Sequence, residues 1–232
     1  MRYTFTPLLS IDVCLVPFPA MTLRISEIFC SLQGESRSMG FPTAFVRLTG
    51  CPARCGYCDT AYAFSGGEAT EIPAILEQVA GFGVHHVTVT GGEPLAQKGC
   101  LTLLAALCDA GYEVSLETGG MLDVSQVDPR VIRVVDLKTP ASGECENNLY
   151  SNIDCLGPKD QIKFVICDEA DYRWAASQLA ERGLASRCEV LFSPCHGSQD
   201  PTALAEWILR DRLPVRFQLQ LHKILWGEER AR

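Results

Sequence analysis

Three cysteines fall within eight residues, Cys51-Pro52-Ala53-Arg54-Cys55-Gly56-Tyr57-Cys58, a C-x3-C-x2-C spacing. Thiolates that crowded can hold three corners of a metal ion or of an iron–sulfur cluster. A structural zinc site takes four protein ligands. No fourth Cys or His is close in sequence, although a fold could bring Cys30, His85 or His86 to the loop. A [4Fe–4S] cluster held by three cysteines leaves one iron open to a further ligand, so the spacing favours the cluster while leaving zinc open. Further along, Gly91-Gly92-Glu93-Pro94 ends a β-branched run. Its glycines let a ligand approach the backbone, and Glu93 offers a carboxylate to an ammonium group. A Gly-Gly pair alone would be an ordinary turn.

The elements that must position these residues alternate. Segment 22–25 is strand-like, and 43–48, 84–90, 112–117, 131–136, 161–167, 188–192 and 215–221 have the pattern of seven further strands. Helical periodicity covers 71–79, 98–110 (closed by Gly111), 171–182 and 202–210. Such alternation implies a parallel sheet with right-handed crossovers. Two links lack a full helix: 118–130 has room for a short one at most, and 137–160 shows no periodicity. A loop that long in a compact domain is usually functional. The predicted fold class is therefore α/β, an incomplete, open (β/α) barrel with a mainly parallel sheet and some crossover helices missing. The polar residues of interest gather where its strands end: the cysteine loop, the Gly-Gly turn, Glu117, Asp136 with Lys138, and His222 ending the last strand. Active sites of parallel (β/α) folds form at that face.

Composition narrows the class. The chain of 232 residues is 47% hydrophobic and 21% charged, enough apolar material for a core. A net charge of −8 speaks against non-specific nucleic-acid binding and against adhesion to anionic membranes. No apolar run reaches the ~18 residues of a transmembrane helix. Most of the twelve cysteines sit in apolar patterns: Cys100, Cys108, Cys167 and Cys188 read as small buried hydrophobes. The crowded trio suits a reducing cytoplasm and a metal. Residues 1–20 resemble a signal peptide only superficially, because Asp12, Pro17 and Pro19 interrupt the apolar stretch. They read as an extension, with translation starting at Met21 and a single domain spanning 21–232.

The cysteine loop, with an aromatic residue before its last cysteine, and the Gly-Gly-Glu-Pro turn one βα unit later resemble the radical S-adenosylmethionine (SAM) enzymes. Ser31-Leu32-Gln33-Gly34-Glu35, Arg47, Asp59-Thr60, Glu117-Thr118 and Gln220-Leu221-His222-Lys223 narrow the resemblance to the 7-carboxy-7-deazaguanine synthases of the queuosine pathway, from about Ile25 to Lys223. That resemblance implies a lyase acting on 6-carboxy-5,6,7,8-tetrahydropterin. A 5′-deoxyadenosyl radical takes hydrogen from C6, the ring contracts, ammonia leaves and SAM is regenerated. It implies a [4Fe–4S] cluster on Cys51, Cys55 and Cys58, SAM against Gly91, Gly92, Glu93, Asp136, Leu137 and Lys138, and magnesium on Thr60. The implied substrate contacts are Leu32, Gln33, Gly34, Glu35, Arg47, Thr90, Glu117 and His222. It also implies a low-potential donor of flavodoxin or ferredoxin type, a homodimer and a cytoplasmic location.

Physical chemistry agrees in outline. Arg47 can fork onto a carboxylate, and Gln33 and Glu35 can meet the donors and acceptors of a pterin edge. Lys163 and Ser193 read as structural, and Cys145, Cys155 and Cys195 are too widely spaced for a second cluster. Ser36 stands where the family often has glycine, and residues 224–232 extend past the family's usual end. A glycyl-radical-enzyme activase and, from another class, a non-catalytic zinc-binding module are the alternatives.

Overall fold

The computed structural model describes residues 21–232. The reading of residues 1–20 as an extension lies outside them. Nine strands form one sheet: β1 (Thr22–Leu32), β2 (Pro42–Leu48), β3 (Glu68–Glu71), β4 (His86–Gly91), β5 (Glu113–Thr118), β6 (Ile132–Asp136), β7 (Gln161–Ile166), β8 (Glu189–Pro194) and β9 (Arg216–Phe217). Their order is β3-β1-β2-β4-β5-β6-β7-β8-β9, with every pair from β2 to β9 parallel and both β1 pairings antiparallel. The sheet is open, so the predicted incomplete barrel of seven parallel strands is present, extended by an antiparallel edge.

Helices α1 (Ile72–Gly81), α2 (Cys100–Asp109), α3 (Glu169–Glu181) and α4 (Pro201–Asp211) make the crossovers where periodicity predicts them. Asp168 and Asp200 cap α3 and α4 by accepting from the backbone N–H groups of Asp171 and Thr202. The β5–β6 link has no helix, and the 137–160 stretch folds into three short 3-10 turns. Asn148 and Asn152 pin those turns: Asn148 bonds both backbone groups of Lys138, and Asn152 bonds Gly120, Leu122 and Val124. That long loop is a fixed wall.

Strand alternation gives the sheet two unlike faces. Ala44, Val46 and Leu48, Val87 and Val89, Val114 and Leu116, Ile162, Phe164 and Ile166 join Ile75, Leu103, Leu104, Leu107, Tyr172 and Leu179 of the helices in one buried core. Phe45, Arg47, Thr90, Glu117, Asp136, Lys163 and Val165 point to the other face.

Two expectations are corrected. The last strand, predicted over 215–221, spans only Arg216–Phe217. After Gln218 donates its backbone N–H to Phe192, the chain leaves the sheet, and the Leu221 N–H bonds the carbonyl of Gly34 at 3.1 Å. His222 therefore lies in a short helix, α5 (Leu221–Trp226), and not at a strand end. The strand-like 22–25 is also longer than predicted. A bulge between Ile25 and Glu27 shifts the register so that Glu27 faces Arg47 across the pair.

Candidate active site

The polar face of the sheet opens into a cavity of about 400 Å³, lined by the ends of β2, β4, β5, β6 and β7, the turn after β1, the cysteine loop and α5. The cysteine loop is braced from several sides. The N–H of Gly50 donates to Ala63 O (2.7 Å), that of Gly56 to Ser142 O (3.0 Å) and that of Arg54 to a Glu144 carboxylate oxygen (2.6 Å). The Arg54 guanidinium donates to the carbonyls of Cys51 and Ala53 and lies over the Phe64 ring. The loop thus keeps its shape without a disulfide, and Cys51, Cys55 and Cys58 line the cavity as free thiols. Burial pushes the Cys51 and Cys55 thiols up, so they carry protons that binding to iron would displace.

The Gly91-Gly92 turn sits directly behind that loop. Gly91 has φ +153°, and a Cβ there would collide with the backbone of Leu48; one on Gly92 would collide with the Gly50 carbonyl. These glycines let β4 and the loop entry interlock, with the Glu93 N–H donating to Gly50 O at 2.7 Å. The Glu93 side chain is 0% exposed and accepts from the Leu95 N–H (3.1 Å), the Thr118 hydroxyl (2.9 Å) and the Gly119 N–H (2.7 Å). Its carboxylate ties the β4 turn to the end of β5, and burial pushes its pKa up. Asp136 and Lys138 both line the cavity and are paired at 2.6 Å. Burial opposes the charge on each. Lys138 nonetheless titrates higher than a free lysine because Asp136 outweighs that penalty, and Asp136 lower than a free carboxyl because Lys138 and Lys163 do. The Leu137 side chain turns to the opposite face, 1% exposed within the core, which leaves only its backbone for the SAM contact expected of this residue.

The predicted substrate residues are brought together. Glu117 accepts from Gln33 Nε2 (3.1 Å) and the Thr90 hydroxyl (3.2 Å), and burial pushes its carboxyl up. Gln33 also donates to Thr88 (3.0 Å) and accepts the Glu35 N–H (3.0 Å), so it fixes its neighbours with both ends of its amide. Glu35 accepts from Gln220 Nε2 (3.0 Å) and Lys163 Nζ (2.8 Å). His222 Nε2 stands 3.8 Å from both Glu35 and Asp59. Asp59 is held down to about 2, since His222 and Lys223 outweigh its burial. A Cβ on Gly34 would come within 2.7 Å of His222 Nδ1 and 3.3 Å of the His222 backbone nitrogen, so a larger residue here would displace His222. Leu32 also lines the cavity, as does Thr60, whose hydroxyl is 3.7 Å from Cys58 Sγ.

Sequence reasoning gave no site role to Lys163, Glu27 or Gln220. Lys163, read as structural, lines the cavity between Glu35 and Asp136. Glu27 holds Arg47 Nε at 2.6 Å and accepts the Tyr62 hydroxyl at 2.7 Å. Gln220 holds Glu35. Only an unexplained polar side chain in an apolar strand, as in Gln161-Ile162-Lys163-Phe164, could have signalled the first.

The donor set fits a three-cysteine cluster with SAM beside it. Three free thiols share one cavity wall with the Gly-Gly backbone, and Tyr57 adds a buried hydroxyl that has no hydrogen-bond partner among the described residues. Among the described residues no three His, Cys, Asp or Glu side chains converge on a single ion.

Comparison with known proteins gives consistent relatives. Residues 45–136 match the radical SAM superfamily. The chain is 50% identical over 210 residues to the 7-carboxy-7-deazaguanine synthase of Chlorobaculum tepidum, covering 89% of this chain and 96% of that one. It is 42% identical to the synthase of Koribacter versatilis, covering 89% and 98%. The crystal structure of QueE from Escherichia coli shares the fold, with a TM-score of 0.72 at 23% identity, covering 87% of this chain and 95% of that one.

Proposed function

Because the chain belongs to the 7-carboxy-7-deazaguanine synthase family of radical SAM enzymes, we propose that it converts 6-carboxy-5,6,7,8-tetrahydropterin to 7-carboxy-7-deazaguanine. It is a carbon–nitrogen lyase of the queuosine pathway, with a [4Fe–4S] cluster and SAM as its cofactors. The observation that carries the substrate assignment is that Glu35, Arg47, Thr90, Glu117 and His222 line the same cavity as the three cysteines. When bound, cluster and SAM supply a carbon radical able to abstract and return a hydrogen atom.

The protein's own residues hold and orient. Cys51, Cys55 and Cys58 would ligate the cluster, and Gly91, Gly92, Glu93, Asp136 and Lys138 would wall the SAM site. Thr60 would give magnesium one protein oxygen, in keeping with that ion's preference for water and substrate as its other ligands. With its Nε taken by Glu27, Arg47 keeps its two terminal nitrogens for the substrate carboxylate. Glu35 and Glu117, each already oriented by amide or hydroxyl donors, keep lone pairs for the pterin's N–H groups. An electron source is required. A flavodoxin or ferredoxin as donor, a homodimeric assembly and a cytoplasmic location belong to the same reading; among the described residues no helix is long and apolar enough to cross a membrane.

The test is an anaerobic assay of the reconstituted protein with dithionite, SAM, magnesium and the carboxytetrahydropterin. 7-Carboxy-7-deazaguanine in excess over SAM consumed is the expected result. SAM cleavage without product would move the substrate elsewhere, towards the activase alternative, and a protein that takes up zinc but no iron and sulfide would leave only the metal-binding module.

A further inference from the structure

Lys163 stands where the two halves of the cavity meet. Its ammonium extends from β7 with its side chain 9% exposed, 2.8 Å from Glu35 Oε2 and 3.4 Å from Asp136 Oδ1. Glu35 belongs to the substrate side, where Gln220 also holds it at 3.0 Å. Asp136 belongs to the cofactor side, where Lys138 holds it at 2.6 Å. The chain of contacts runs from α5 through Glu35, Lys163 and Asp136 to Lys138, and Lys163 is its one member bonded to both sides.

An ammonium is a point charge with three donors and no fixed fork, so it can shift between two carboxylates over a fraction of an ångström. Inside the protein that trade is poorly screened. A ligand that draws on Glu35 therefore changes how firmly the ammonium holds Asp136, and a ligand that engages Asp136 or Lys138 changes what remains for Glu35. We propose that Lys163 is the positioning residue that couples occupancy of the substrate half to occupancy of the SAM half. This rests on the function proposed above. It gives the enzyme a physical means of matching cofactor geometry to the presence of substrate.

The experiment is calorimetric titration of the cluster-loaded protein, without reductant, with the carboxytetrahydropterin in the presence and absence of SAM. Wild type is expected to bind the pterin with an affinity that differs at least ~5-fold between the presence and absence of SAM, within the usual range of coupling between sites. Lys163→Met is expected to bring that ratio to about one, and Lys163→Arg, which keeps the charge, to restore part of it. Under turnover, Lys163→Met should cleave more SAM per product formed. Weaker binding of both ligands with the ratio unchanged would show a merely structural ion pair and overturn the proposal. A wild-type ratio of one would overturn it too. Wild type that binds SAM but no pterin would instead sink the substrate assignment, and this inference with it.

Discussion

Arg47 shows how one side chain depends on others remote in sequence. Glu27 fixes its Nε, and the Tyr62 hydroxyl fixes Glu27. Tyr62→Phe removes one hydrogen bond to a charged group, worth about 1.5 kcal/mol or more. The KM for substrate should rise roughly tenfold with kcat less affected, measured by steady-state kinetics. Leu137 makes the opposite case. Leu137→Ala should lower stability by about 2–5 kcal/mol, as for other buried leucines, and leave SAM affinity unchanged; urea denaturation and calorimetry would check the two. Glu35 carries a pH consequence. Its pKa is lowered in the fold because Lys163 and His222 outweigh burial. The stability it contributes is present above the unfolded carboxyl pKa of ~4.3 and is lost as pH falls through the lower folded value. Denaturation midpoints should drop from about pH 5 downwards, and less steeply in Glu35→Gln.

Elements decide which side chains meet. The turn after β1 and helix α5 close on one another through Gly34, whose carbonyl accepts the Leu221 N–H and whose missing Cβ leaves room for His222. Gly34→Ala should push α5 outwards, displacing His222 and Gln220 together. A displacement of about 1 Å can cost ~10²-fold in kcat/KM, with circular dichroism unchanged. The cysteine loop and the Gly-Gly turn were legible because each is a local spacing. The strands β2 and β4 to β8 were legible because alternation and β-branching are local as well, whereas the four-residue β3, too short and polar to show either pattern, was not. The extent of β1, the short β9 and the α5 placement of His222 were not legible either. Pairing with β2 and β3 sets β1, and backbone bonds from Gln218 to Phe192 and from Leu221 to Gly34 set the other two, all between residues remote in sequence. Lys163 was hidden for a related reason: a lysine between Ile162 and Phe164 declares only that one face is polar, not what it meets there.

Taken whole, the molecule keeps its two tasks on opposite faces of one sheet. The apolar core lies between the helices and the sheet, and the cluster loop lines the far side. Replacing Cys51, Cys55 and Cys58 together with Ala should therefore abolish iron binding and visible absorbance while cooperative unfolding stays close to that of the cluster-free protein, as circular dichroism melting would check. The same layout bears on how the pocket comes into being on the ribosome. The cysteines and the Gly-Gly turn are translated by residue 92, whereas Gln220 and His222 close on the turn at Gly34 from near the other end of the chain. A nascent chain has the thiols for its iron long before it has a finished place for substrate, so in biosynthesis the recognition half of the pocket is the last to be assembled.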